Sequence, residues 1–254
     1  MFHPVQTSKY YFIGLILVFI GCSEDNHTPD KLDTTLGMHY SLIQEGQTGS
    51  ARVRLRQHMD KNGESVQPLF LMGLSYHHDK QYAQAIKWFA MATSKSMDAS
   101  EYPPVWHFLG WSHYYLGQVA ASKSSFEQFL VLYPNEADSL FALGLIATEE
   151  GDLGKAKKLF LKAIQGDSQD NLVQAKATAR LADVLADEGD WQEAITLYRE
   201  TVRLNPDVYE AWYRLSRALL RVGNEEESTV ALGQFELARR RVRPDLDQST
   251  RFPE

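Results

Sequence analysis

The chain has 254 residues and a formal net charge of -7, with 44% hydrophobic and 23% charged residues. That balance suits a folded domain or a solenoid and includes no low-complexity tract. A mildly acidic chain lacks the basic surface that sequence-independent nucleic-acid binding needs to displace counterions, and one cysteine, Cys22, excludes an intramolecular disulfide.

The amino terminus has three parts. Met1 to Lys9 is short and polar, Tyr10 to Ile20 is apolar except for Gly14, and polarity returns at Ser23, Glu24 and Asp25. The apolar run falls short of the ~20 residues that a membrane-spanning helix needs. Its length is that of a signal-peptide core. Phe19-Ile20-Gly21-Cys22 resembles a bacterial lipobox, with Phe19 where leucine is usual. The resemblance implies cleavage before Cys22, acylation of that residue, and a lipid-anchored protein facing the periplasm. Several acyl chains together anchor stably where one does not. Ser23 favours the outer membrane under the enterobacterial sorting rule. An uncleaved anchor and an ordinary secretory signal are the other readings of residues 1–22. Residues 23–31 are polar, contain Pro29 and read as a flexible tether.

A rhythm of large and small residues then runs from 32 to 242. In the first unit Leu36, Met38 and Leu42 share one helix face, Gly46 and Gly49 mark a turn, and Ala51, Val53 and Leu55 continue on a second helix. The second unit reads Leu69-x-x-Met72-Gly73-x-x-Tyr76, then Tyr82, Ala85, Phe89 and Ala92. The third reads Trp106-x-x-Leu109-Gly110-x-x-His113, then Gly117, Ser122, Phe126, Phe129 and Pro134. The fourth carries Leu140, Leu143, Gly144 and Ala147, then Gly151, Ala156, Phe160 and Ala163. The fifth carries Thr178, Leu181, Ala182 and Leu185, then Gly189, Ala194, Tyr198 and Pro206. The sixth carries Trp212, Leu215, Ser216 and Leu219, then Gly223, Ser228, Leu232 and Phe235. Two helices cross closely only where one offers the other a small side chain, so small residues recur at fixed offsets. No stretch shows the two-residue alternation of a strand.

This pattern resembles the tetratricopeptide repeat, a helix–turn–helix of about 34 residues. The resemblance implies an all-α solenoid of about six helix pairs, wound into a right-handed superhelix. Its units lie near 32–65, 66–102, 103–136, 137–174, 175–208 and 209–242, and a loose tail covers 243–254. The arginines at 239–241 and 243 suit a terminal cap, because a helix dipole favours cations at its carboxyl end. A basic patch for anionic lipid or nucleic acid is the other reading.

In such arrays, binding residues lie beside the core stripe on the first helix of each pair. Those places are Leu36, Tyr40 and Ile43 in the first unit, Phe70, Leu74 and His77 with His78 in the second, His107, Trp111, Tyr114 and Tyr115 in the third, and Phe141, Leu145, Thr148 and Glu149 in the fourth. The sixth offers Tyr213, Arg217 and Arg221, and the fifth Lys176, Ala179 and Asp183. Aromatic side chains give large contact area at low entropic cost, so this set points to a protein or peptide partner. The family's carboxylate clamp is absent, since its places hold Phe70, Leu74, His107 and Trp111. His77 and His78 diverge on one helix, which argues against a metal site. No nucleophile motif, phosphate loop or metal-hydrolase signature is present, so neither enzyme activity nor a cofactor is expected.

The architecture is shared by type IV pilus assembly lipoproteins and by adaptors of peptidoglycan hydrolases. It implies a non-enzymatic, membrane-anchored scaffold that holds a partner segment in its concave groove. Binding of a glycan strand or lipid headgroup by Trp111, Tyr114, Tyr115 and the arginines is the alternative.

Overall fold

The computed structural model describes residues 34–95, 102, 104–166 and 171–244. Cys22, the signal and tether assigned to residues 1–31, and the tail beyond residue 244 lie outside them. Among the described residues there are twelve α-helices and no β-strand. They are α1 (Thr34–Gln44), α2 (Thr48–Asn62), α3 (Val66–His78), α4 (Tyr82–Lys95), α5 (Pro104–Tyr115) and α6 (Val119–Leu132). A second series follows: α7 (Ala137–Glu149), α8 (Leu153–Gln165), α9 (Asn171–Glu188), α10 (Trp191–Leu204), α11 (Tyr209–Arg221) and α12 (Glu225–Val242). The first six belong to one compact unit ending at Pro134 and the last six to another beginning at Asn135. Among the described residues no helix is long and apolar enough to cross a membrane.

Within each unit, consecutive helices pair and the pairs stack. The first helix of one pair also touches the first helix of the next, as α1 does α3, α3 does α5 and α7 does α9. The pairs are close because a glycine of one helix meets the face of a phenylalanine from its partner. A methyl group added at Gly73 would stand 2.5 Å from the Phe89 ring, and one at Gly144 would stand 2.5 Å from Phe160. At Gly110 the same test gives 2.8 Å to Phe126. Phe89, Phe126 and Phe160 are fully buried. Where the small residue on the second helix is serine, it ties the crossing with a hydrogen bond. Ser122 Oγ donates to the Gly110 carbonyl at 2.9 Å, and Ser228 Oγ to the Ser216 carbonyl at 2.9 Å. Alanines 51, 85, 156 and 194 fill that place in the other pairs, all fully buried.

Every turn inside a pair closes the same way. The residue in the left-handed conformation donates its N–H three residues back, and the next N–H reaches five residues back, which is the Schellman closure. Gly151 to Thr148 and Asp152 to Ala147 illustrate it. Five of these left-handed residues are glycines; in the α3–α4 turn it is Lys80, at φ 59°, a conformation that strains an L-residue.

Three aliphatic frame residues are exposed where the sequence reading places them inward. Met38 is 59% and Val53 52% exposed. The helical period instead buries Leu36, His39 and Ile43 on α1, and Ala51, Leu55 and Met59 on α2. Degenerate units offer no glycine–aromatic pair from which to fix the rotation of each helix. Leu232 is 44% exposed on the final helix. Trp106 and Trp212, read as core, are half-buried.

Gly144→Ala should destabilise the protein by about 1–3 kcal/mol in chemical denaturation, because overpacking outweighs the ~1 kcal/mol gain in helix propensity. Adding Phe160→Leu should recover part of that loss. An additive double mutant would show that the two residues do not oppose each other.

Candidate functional site

The expected binding residues divide by accessibility. Phe70, Leu74, His107 and Phe141 are buried. Phe70 packs among Phe89, Tyr102 and Phe108, with ring centroids 5.0–5.9 Å away. The His107 ring is enclosed by Phe108, Phe126 and Phe129, and Phe141 leans on Phe160 at 6.0 Å. These four offer a partner almost no surface, because neighbouring rings cover the flank of the helix as well as its core stripe. Trp111 is nearly buried, Tyr114 and His77 are half-buried, and Tyr115, Tyr213, Arg217 and Arg221 are exposed.

In the first unit, an aromatic tray forms around Tyr115, which is 52% exposed. Its ring stacks on Tyr82 at 4.7 Å and 25°, and on Trp111 at 5.6 Å and 24°. Trp111 is braced edge-on by Phe126 at 5.4 Å and meets Tyr114 at 5.6 Å. The tray is therefore held from below, and its upper ring is placed before any ligand arrives. The sequence marks Tyr82 only as a frame residue. It lies on the second helix of the preceding pair, so no spacing within one unit reveals its contact with Tyr115.

His77 borders the tray, edge-on to Tyr82 at 5.3 Å and to Phe108 at 5.5 Å. Its Nδ1 lies 2.8 Å from Ser112 Oγ, while that hydroxyl donates to the Phe108 carbonyl at 2.8 Å. The serine proton is thus committed, so His77 Nδ1–H is the donor and Nε2 carries the lone pair. Burial, followed by the neighbouring His107 and His78, lowers the His77 pKa to about 4. The ring is neutral at neutral pH.

The second unit carries a cationic strip on α11. Arg217 lies over the Tyr213 ring at 5.9 Å, and Arg221 over Trp191 at 5.7 Å. Neither guanidinium has a carboxylate partner among the described residues. Asp183 is committed elsewhere: it takes Arg214 at 3.1 Å, Arg180 at 3.2 Å and the Tyr198 hydroxyl at 2.7 Å. Burial, then the charge of Asp183, raises the Tyr198 pKa, so the phenol stays a donor. The carboxylate thereby clamps α9, α10 and α11 and leaves Arg217 and Arg221 facing solvent. Among the described residues, no group of three His, Cys, Asp or Glu side chains is placed to hold a metal ion.

Residues 109–171 and 179–234 match the family model of the tetratricopeptide repeat. No curated protein sequence matches the chain. Among solved structures, the chain is similar to that reported as the functional characterization of Pseudomonas aeruginosa pilF, with a TM-score of 0.68 and 17% identity over 84% of this chain and 91% of that one. It is similar to YrrB, described as a tetratricopeptide-repeat protein with an unusual peptide-binding site, at 0.54 and 17% over 75% and 93%. It also resembles a chain in the Cut9–Hcn1 assembly, at 0.66 and 16%, covering 83% of this chain but only 40% of that longer one. Paired helices of the tetratricopeptide-repeat solenoid are thus the fold.

A histidine that unfolds from a pKa of about 4 to the ordinary 6.5 favours the native state fully above pH 6.5 and loses that contribution as pH falls toward 4. Between pH 6.5 and 5 the wild type should lose about 1.5 kcal/mol more stability than His77→Gln, as followed by denaturant melts. Parallel profiles would show that His77 titrates normally.

Proposed function

We propose that this protein is a non-enzymatic scaffold that binds a segment of a partner protein and is held at the bacterial envelope by lipid on Cys22, facing the periplasm. The observation that carries the reading is the stack of Tyr115 on Tyr82 and Trp111. An exposed aromatic already fixed by its neighbours gains contact area on binding while losing little side-chain freedom. The neutral His77 at its border adds an acceptor for a polar group on the partner. The arginines of α11 supply a second surface with its own chemistry: two guanidiniums on aromatic rings, suited to carboxylates. Support also comes from the peptide-binding description attached to YrrB and from the sequence Phe19-Ile20-Gly21-Cys22 ahead of the array.

The test is photocrosslinking in cells from a residue beside Tyr115, followed by mass spectrometry and a parallel feed of a palmitate analogue. One protein partner should be recovered, and Tyr115→Ala should weaken its capture by at least tenfold, about 1.4 kcal/mol. Label should depend on Cys22 and vanish in Cys22→Ala. Retention of the protein on isolated peptidoglycan, with no protein crosslink and with loss in Tyr115→Ala, would replace a protein partner by a glycan. Label that persists in Cys22→Ala would remove the lipid anchor.

A further inference from the structure

The outer face of α12 differs from the same face of every other second helix. Counting from the small residue that enters each helix crossing, α4, α8 and α10 carry Lys87 and Ser94, Lys158 and Gln165, and Thr196 and Arg203 at two exposed positions. In α2 and α6 one of the two is apolar, Val53 and Val131. In α12 both are: Val230 is 60% and Leu237 58% exposed. Gly233 lies between them on the same face, and a Cβ added there would meet nothing within 4 Å among the described residues. Gly233 therefore does not serve packing against the described residues, and a glycine inside a helix costs about 1 kcal/mol relative to alanine.

The charges along α12 are also polarised. Its first turn holds Glu225, Glu226 and Glu227, and its last turn Arg239, Arg240 and Arg241. Glu226 lies in line with Val230, Gly233, Gln234, Leu237 and Arg241 at helical spacing. Glu227 is paired with Arg199, whereas Glu226 has no ion pair among the described residues. Arg241 uses Nε and one terminal nitrogen on Asp207, which leaves its other terminal nitrogen available.

We propose that α12 pairs antiparallel with α12 of a second copy of this chain. A twofold axis between residues 233 and 234 places Val230 against Leu237 of the other copy, Glu226 against its Arg241, and Gly233 against its Gln234. Each contact then occurs twice, as an isologous interface requires. The order acid, apolar, small, apolar, base is self-complementary only when reversed, and this selects an identical antiparallel helix over other occupants. Gly233 lets the two helices approach at the axis. A single helix pair buries less than the ~1,200 Å² of a standard stable interface, so the dimer is weak and exchanging.

The test uses the full chain with Cys22→Ser, which removes the only thiol. Gly233→Cys or Gln234→Cys, placed beside the axis, should form a disulfide-linked dimer under mild oxidation at least tenfold faster than Lys158→Cys on the same face of α8. Adding Val230→Asp or Glu226→Arg, both at exposed positions, should return that rate to the control level with helix content unchanged in circular dichroism. Equal rates for the probes and Lys158→Cys, or crosslinking that survives both Val230→Asp and Glu226→Arg, would overturn the pairing.

Discussion

The structure depends on the contact between a bare helix backbone and an aromatic face. Gly73, Gly110 and Gly144 leave room for one ring each, and Phe89, Phe126 and Phe160 fill it completely. A side chain on the first helix, or a smaller one on the second, changes the crossing distance. That distance in turn sets how far neighbouring pairs can approach. The fifth and sixth pairs reach the same geometry with other residues: Ala182 with a buried Tyr198, and Ser216 bonded to Ser228. In the fifth pair the tyrosine hydroxyl must find an acceptor once buried. Asp183 supplies it, and so a packing solution in the core fixes an electrostatic arrangement at the surface.

Close stacking also decides which aromatics remain available. Within each unit, neighbouring helices cover the flank of a first helix, so a residue beside the core stripe is often enclosed, as Phe70, His107 and Phe141 are. Tyr115 escapes because it is the last residue of α5, where the helix ends and the turn begins. Tyr82 is the first residue of α4, so their stack forms at the ends of two helices rather than along their sides.

Helix pairing was legible because the signal is chemical and local: a glycine or alanine on one helix, a ring on the next, and glycine in the turn. It weakened where those markers are missing. The spacing of Leu36, Met38 and Leu42, and of Ala51, Val53 and Leu55, allows one face on each helix, but without a glycine–aromatic pair to fix the rotation Met38 and Val53 turn outward. The candidate surface was legible only in outline. Sequence marks Trp111, Tyr114 and Tyr115 as one helix face, but the partner ring from Tyr82 comes from the preceding pair. Likewise Trp191, which lies under Arg221, opens a second helix, where the repeat pattern places no ligand-facing residue. Burial of His107 depends on rings from its own pair at several heights, which spacing along one helix does not report.

The identical closure of all six turns has a further consequence. Each helix pair is closed by hydrogen bonds between residues no more than five apart in the chain, so every hairpin is topologically self-sufficient. Contacts of short sequence separation favour rapid assembly, and nearest-neighbour coupling lets it begin at more than one place. A pair can therefore be gained or lost as a module, provided that the apolar sides it exposes match those it replaces. The Lys80 turn is the exception: its left-handed backbone is strained, which makes the α3–α4 hairpin depend more on its neighbours than the others do.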